Sequence, residues 1–138
     1  MSLFKIFDIA GSGMSAQSVR LNTTASNLAN ANSVSTTEDG AYRSRQPVFQ
    51  TALEQAGQGN GASVGVRVLG VMESNAAPQR LYEPGNPLAD EEGYVWKSNV
   101  NIAEEMANMI SASRSFQNNI EVLNTSKDLM LRTLQLGR

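Results

Sequence analysis

The side chains able to do chemistry in this chain are two carboxylate clusters, scattered serines and a run of glycines. Asp90-Glu91-Glu92 and Glu104-Glu105 are the carboxylate clusters. Acid–base or metal chemistry needs carboxylates that converge with partners, whereas adjacent residues on a helix point about 100° apart. Ser12, Ser15, Ser111 and Ser113 have no imidazole to activate them, because the 138 residues include no His, and no Cys offers a thiolate instead. Gly57, Gly59, Gly61 and Gly65 are followed by no Lys-Ser or Lys-Thr, so they do not make a phosphate loop. The expectation is a protein with no catalytic site, no metal, no cofactor and no small-molecule substrate.

Charge narrows the partners further. Lys and Arg number 11 against 13 Asp and Glu, a net charge of −2, and the cations are scattered singly. Without a basic stripe, neither nucleic acid nor direct anchoring on lipid is expected. Asp8 interrupts the apolar N-terminus before a signal-peptide core forms, and no stretch approaches the roughly 18 apolar residues of a membrane span. If the protein leaves the cytoplasm, it uses a route that reads an uncleaved N-terminus.

With no chemistry to position, the elements themselves become the subject. From Ile102 a 4-3 alternation picks out Met106, Met109, Ser113, Phe116, Ile120, Leu123, Lys127, Met130 and Leu134, eight of the ten positions being apolar. That spacing predicts a helix of roughly 50 Å whose seam packs along another helix. Glu104 and Glu105 near its start complement the macrodipole, and Gly137 marks a stop. Near the N-terminus Phe7, Met14, Leu21 and Leu28 recur every seven residues, with small or polar companions at Ala10, Gln17, Thr24 and Ala31. Gly11 and Gly13 weaken this second helix, so its order is expected to depend on assembly. Between the helices, Val64 to Val71 alternates as a strand, and Tyr42 to Phe49 is a second candidate that Pro47 confines to an edge.

These signals predict a mainly α fold with a small β module. Long terminal helices pack antiparallel in coiled-coil fashion, and two to four strands lie between them. Three segments follow: an N-terminal helix over residues 1–35, a β-rich module with a flexible glycine loop over 36–98, and a heptad helix over 99–138. Residues 1–37 carry only three charges, Lys5, Asp8 and Arg20, amid many amides and hydroxyls. Such a helix suits surroundings of protein, where each amide can be paired. Two classes fit: a structural subunit of a larger assembly, or a helical adaptor or chaperone-like module holding a partner segment.

A resemblance separates them. Ile6-Phe7-Asp8-Ile9-Ala10-Gly11-Ser12-Gly13-Met14 through Ala25-Ser26-Asn27-Leu28-Ala29-Asn30-Ala31-Asn32 resembles the N-terminal signature of bacterial flagellar rod and hook proteins. Tyr82 to Asp90, Gly93-Tyr94-Val95, Asn99-Val100-Asn101, Ser111 to Gln117 and Glu121 to Thr125 are similar to a proximal-rod branch of the same family, in which a proline often precedes the position of Asn99. The resemblance implies a structural subunit of the basal-body rod crossing the periplasm, the drive shaft between motor and hook. It implies export through the flagellar type III apparatus without signal cleavage, and assembly with copies of itself and other rod proteins. The residues it points to form subunit interfaces: Asn27, Leu28 and Asn30 of the matched amide core, with Phe7, Met14, Leu21, Ile102, Met106, Met109, Phe116, Ile120, Leu123, Met130 and Leu134 of the two seams.

Overall fold

The computed structural model describes residues 3–54 and 63–136, with side-chain surroundings for 5–52 and 65–135. Helices α1 (Leu3–Asn30) and α2 (Ile102–Leu136) occupy the two ends. Between them come β1 (Val34–Ser35), β2 (Arg45–Glu54), β3 (Ser63–Glu73), β4 (Gln79–Tyr82) and β5 (Tyr94–Lys97). Five strands exceed the two to four expected, because the two-residue β1 is too short for any periodicity to announce it. Gly57, Gly59, Gly61 and Gly137 lie outside the described residues.

The strands form two antiparallel sheets. β2 and β3 pair alone as a long ribbon, from Arg45 opposite Glu73 to Glu54 opposite Ser63, with an irregularity between Val48 and Phe49. Pro47 sits inside β2 without penalty to a central ladder, since a two-stranded ribbon has only edges. The second sheet has the order β1-β5-β4. Its middle strand carries Val95, fully buried, and its last residues lead to Ser98, also buried. Ser98 stands just before Asn99, and its hydroxyl donates to the Ala31 carbonyl at 3.0 Å. Val100 N–H donates to the Ser98 hydroxyl oxygen at 3.3 Å. One hydroxyl thus ties the exit of β5 to the end of α1.

Local signals set the helix ends. Asn101 Oδ1 accepts from Ala103 N–H at 3.1 Å and Glu104 N–H at 3.4 Å, capping α2 one residue before Ile102. At the other helix, Ser33 donates both its N–H and its hydroxyl to the Asn30 carbonyl, satisfying an acceptor that helix ending leaves open.

The helices run antiparallel. Arg20 on α1 donates to Asn108 Oδ1 on α2 at 2.9 Å, Gly13 abuts Asn119, and Ile6 shares a surface cleft with Val122 and Ser126. As numbers rise along one helix they fall along the other. The ribbon also lies on α1, which therefore has α2 and both ribbon strands as neighbours. Ser12 Oγ accepts from Val66 N–H of β3 at 3.1 Å while donating to the Ile9 carbonyl of its own helix at 2.8 Å. Among the described residues, the buried apolar side chains are Ala10, Ala16, Ala31, Ala41, Val95 and Ala112. Five alanines and a valine are a thin core, and little hydrophobic stabilisation comes from within the subunit. No described helix is long and apolar enough to cross a membrane.

Candidate functional site

The surface most able to act is the pair of long helices, both where they meet and where α2 is left bare. On α2 the burial follows Glu105, Met109, Ala112, Phe116, Asn119, Leu123, Ser126 and Met130. Glu105, Ala112 and Ser126 are buried, and the others are half-buried. The spacing is the expected alternation of four and three, but only Met109, Phe116, Leu123 and Met130 of the expected seam lie on it. The second row is displaced by one residue. Ala112, Asn119 and Ser126 turn inward; Ile120 and Lys127 are left exposed, and Ser113 is half-buried beside Ala112.

The cause is visible on α1. Its buried positions are Ala10, Ala16, Thr23, Thr24 and Asn27, with Ala31 just past its end, while Phe7, Met14, Leu21 and Leu28 are only half-buried. The small companions, not the large heptad residues, take the inside. Small side chains let the backbones approach closely, so α2 presents its own small row to them and turns its bulky residues away. Ile102 (39 % exposed), Met106 (55 %), Ile120 (38 %) and Leu134 (66 %) consequently remain open, with Ile110 beside them at 55 %. Met106, Ile120 and Leu134 repeat every two heptads and so line one face of the helix.

Glycine 13 reports the closeness of the helices. A Cβ there would sit 3.0 Å from Asn119 Nδ2, whereas at Gly11 it would meet nothing within 4 Å. Gly11→Ala is expected to stabilise the subunit by up to ~1 kcal/mol through helix propensity alone. In Gly13→Ala the same gain is offset by displacing the Asn119 amide, and Gly13→Leu forces the helices apart at a cost of about 1–3 kcal/mol. Chemical denaturation measures the series. Equal midpoints for Gly13→Leu and Gly11→Ala would remove the close approach.

Asn27 is the most completely used side chain of the site. At 1 % exposure, its Oδ1 accepts from Tyr42 Oη at 3.0 Å and Arg45 N–H at 2.9 Å, and its Nδ2 donates to the Arg45 carbonyl at 2.8 Å. The amide thus pairs with both backbone groups of the first residue of β2, as a peptide unit would, and pins the ribbon to α1. Asn30 instead donates to Ser26 O of its own helix at 2.9 Å. Asn99 makes a second clasp, accepting from Ser44 N–H and donating to the Ala76 carbonyl, each at 2.7 Å. Neither Arg45 nor Ser44 carries a sequence signal for these roles, because any residue supplies a backbone N–H or carbonyl.

The carboxylates remain without catalytic geometry. Arg80 holds Asp90 at 3.1 Å and Glu92 at 2.8 Å, and its guanidinium lies 4.1 Å above the Tyr94 ring. The Tyr94 backbone N–H, with help from Arg80 and the Glu92 N–H, holds the Asp90 carboxyl below its ordinary value. This staple closes the loop between β4 and β5, where Gly93 adopts φ +85° and a Cβ would strike Tyr82 at 2.9 Å. No group of three metal-ligating side chains is found among the described residues.

Comparison with known proteins covers the whole chain. Residues 7–35 match the family described as flagella basal body rod protein, and residues 91–136 match the C-terminal family of the flagellar basal body rod FlgEFG proteins. These two segments hold most of α1 and all of β5 and α2. The flagellar basal-body rod protein FlgC of Yersinia enterocolitica is 56 % identical over 138 residues, all of both chains. That of Salmonella typhimurium is likewise 56 % identical over its full length, and that of Escherichia coli O157:H7 is 55 % identical over its full length.

Proposed function

The chain belongs to the flagellar basal-body rod proteins, alongside FlgC, and from that premise we propose that it polymerises into the proximal rod. In that role it is a structural subunit, not an enzyme, and the family sets the adaptor reading aside. Its partners are copies of itself and other rod proteins, which together form the shaft that carries torque from motor to hook across the periplasm. The flagellar type III apparatus exports it without cleavage of a signal.

One observation carries this reading from the structure's side. The two helices bury small and polar side chains between them and leave a row of large apolar ones, Met106, Ile120 and Leu134, uncovered. Exposed apolar area of that kind costs little in a transient monomer and is recovered when neighbours cover it. The half-buried Phe7, Met14, Leu21 and Leu28 are the complementary row on α1, available to coiled-coil-like packing against adjacent subunits. The thin core suits export as well, because a chain that must be threaded unfolded is easier to open when few large side chains are buried. Deleting the gene and supplying the chain in trans tests the reading. Purified basal bodies should regain a rod, visible by electron microscopy, with this chain as a component. Rods that form without it would overturn the assignment.

A further inference from the structure

Of the five methionines among the described residues, Met14, Met109 and Met130 are half-buried, whereas Met72 is 64 % and Met106 55 % exposed. Their thioethers are the groups most open to oxidation, since there is no Cys to react first. The two exposed side chains have different surroundings. Met72 lies on β3 opposite Gln46 and shares a surface cleft with Glu73 and Ser74. Met106 has Ile102, Ala103, Met109 and Ile110 one turn away on α2. Ile102 and Ile110 are themselves 39 % and 55 % exposed, so Met106 stands in the middle of an open apolar patch. Every neighbour one turn away on that face is apolar.

We propose that Met106 is an oxidation site that gates assembly: hydrogen peroxide converts it to the sulfoxide in the free subunit, and the sulfoxide keeps that subunit out of the rod. The inference rests on the rod reading and names a modification acting on one of its surfaces. A lone pair of the Met106 sulfur attacks one peroxide oxygen, and the O–O bond breaks. The thioether is oxidised to the sulfoxide, and the peroxide is reduced, its second oxygen leaving as water. A polar hydrogen-bond acceptor then stands where an apolar group stood. At Met72 that oxygen remains in water or accepts from the Gln46 amide, exposed on the facing strand. At Met106 the surrounding patch offers no side-chain donor, so a neighbour that covers it buries an acceptor without a partner. Cover also shields the sulfur, so Met106 is vulnerable before incorporation and protected after it. Sulfoxide reductases reverse the step, which makes the block temporary.

Hydrogen peroxide is applied to the purified chain and to motile cells, and peptide mass spectrometry locates the sulfoxides. In the purified chain Met72 and Met106 are expected to oxidise about fivefold or more faster than Met14, Met109 and Met130. In treated cells Met72 is the internal standard. The ratio of Met106 to Met72 sulfoxide should fall about tenfold from the unassembled chain to purified basal bodies. Substitution supplies the second arm. Met106→Gln places a polar amide where the sulfoxide would stand and should lower basal-body number about tenfold. Met106→Leu keeps the patch apolar and should leave that number unchanged. Circular dichroism of both variants should match the wild type, because the position is exposed, which guards against a trivial loss through unfolding. Oxidation of Met106 no faster than Met14, an equal sulfoxide ratio in the two pools, or wild-type basal-body numbers for Met106→Gln would overturn the inference and leave the rod function standing. Absence of the untreated wild-type chain from purified basal bodies would overturn the rod function itself.

Discussion

Ile120→Asp and Met106→Asp are each expected to abolish rod assembly while leaving the isolated subunit folded. Both side chains are open in the subunit, at 38 % and 55 % exposure, so a carboxylate there stays hydrated and helix content by circular dichroism should not change. Where neighbours cover the same face in the rod, as proposed above, a buried unpaired carboxylate costs several kcal/mol. Every subunit of a repeating lattice incurs that cost, so the loss of polymer is far steeper than the loss at one contact. Met106→Leu keeps the apolar volume and should assemble normally. Electron microscopy of basal bodies reads the outcome. Normal rods with either aspartate would mean that this face looks onto solvent, and the proposed interface would have to be moved.

The second large effect belongs to Asn27 and is felt before assembly. Asn27→Ala strands both backbone groups of Arg45 and leaves the Tyr42 hydroxyl only its 3.3 Å contact with Ser26 Oγ, in a place where Asn27 itself is 1 % exposed. Each buried group left unpaired costs about 1–3 kcal/mol, against a helix-propensity gain of well under 1 kcal/mol. A loss of roughly 3 kcal/mol is expected, a large share of the stability available to a domain with so thin a core. Amide exchange should quicken first in β2 and β3, which the clasp holds against α1. Asn30→Ala removes a single bond within its own helix and should be close to neutral. Equal effects of the two substitutions on denaturation would contradict the clasp. The two asparagines look alike in the sequence, three residues apart in one motif, yet they hold different things.

Phe116 shows a similar shift of scale. A fully buried phenylalanine truncated to alanine loses roughly 3–5 kcal/mol. Here Phe116 is half-buried in the subunit, so part of that penalty appears only when a neighbour covers the rest of the ring.

The sequence by itself determined the two long helices, the β module between them and the absence of catalytic machinery. Those properties are local or compositional: a sustained 3.5-residue spacing, acidic residues near the start of the second helix, an alternating run from Val64 to Val71, and no His or Cys anywhere. Tertiary structure alone decided which row of α2 turns toward α1. Hydrophobicity favoured Met106, Ile120 and Leu134, but the partner surface of alanine, glycine and threonine admits Ala112, Asn119 and Ser126 and leaves the larger residues out. It also decided that Asn27 pairs with Arg45 eighteen positions away and that Glu105 is enclosed while Glu104 is not. Periodicity shows that a helix has an apolar face; how closely a neighbour can approach that face depends on the shape of both surfaces, and that shape exists only once the chain is folded.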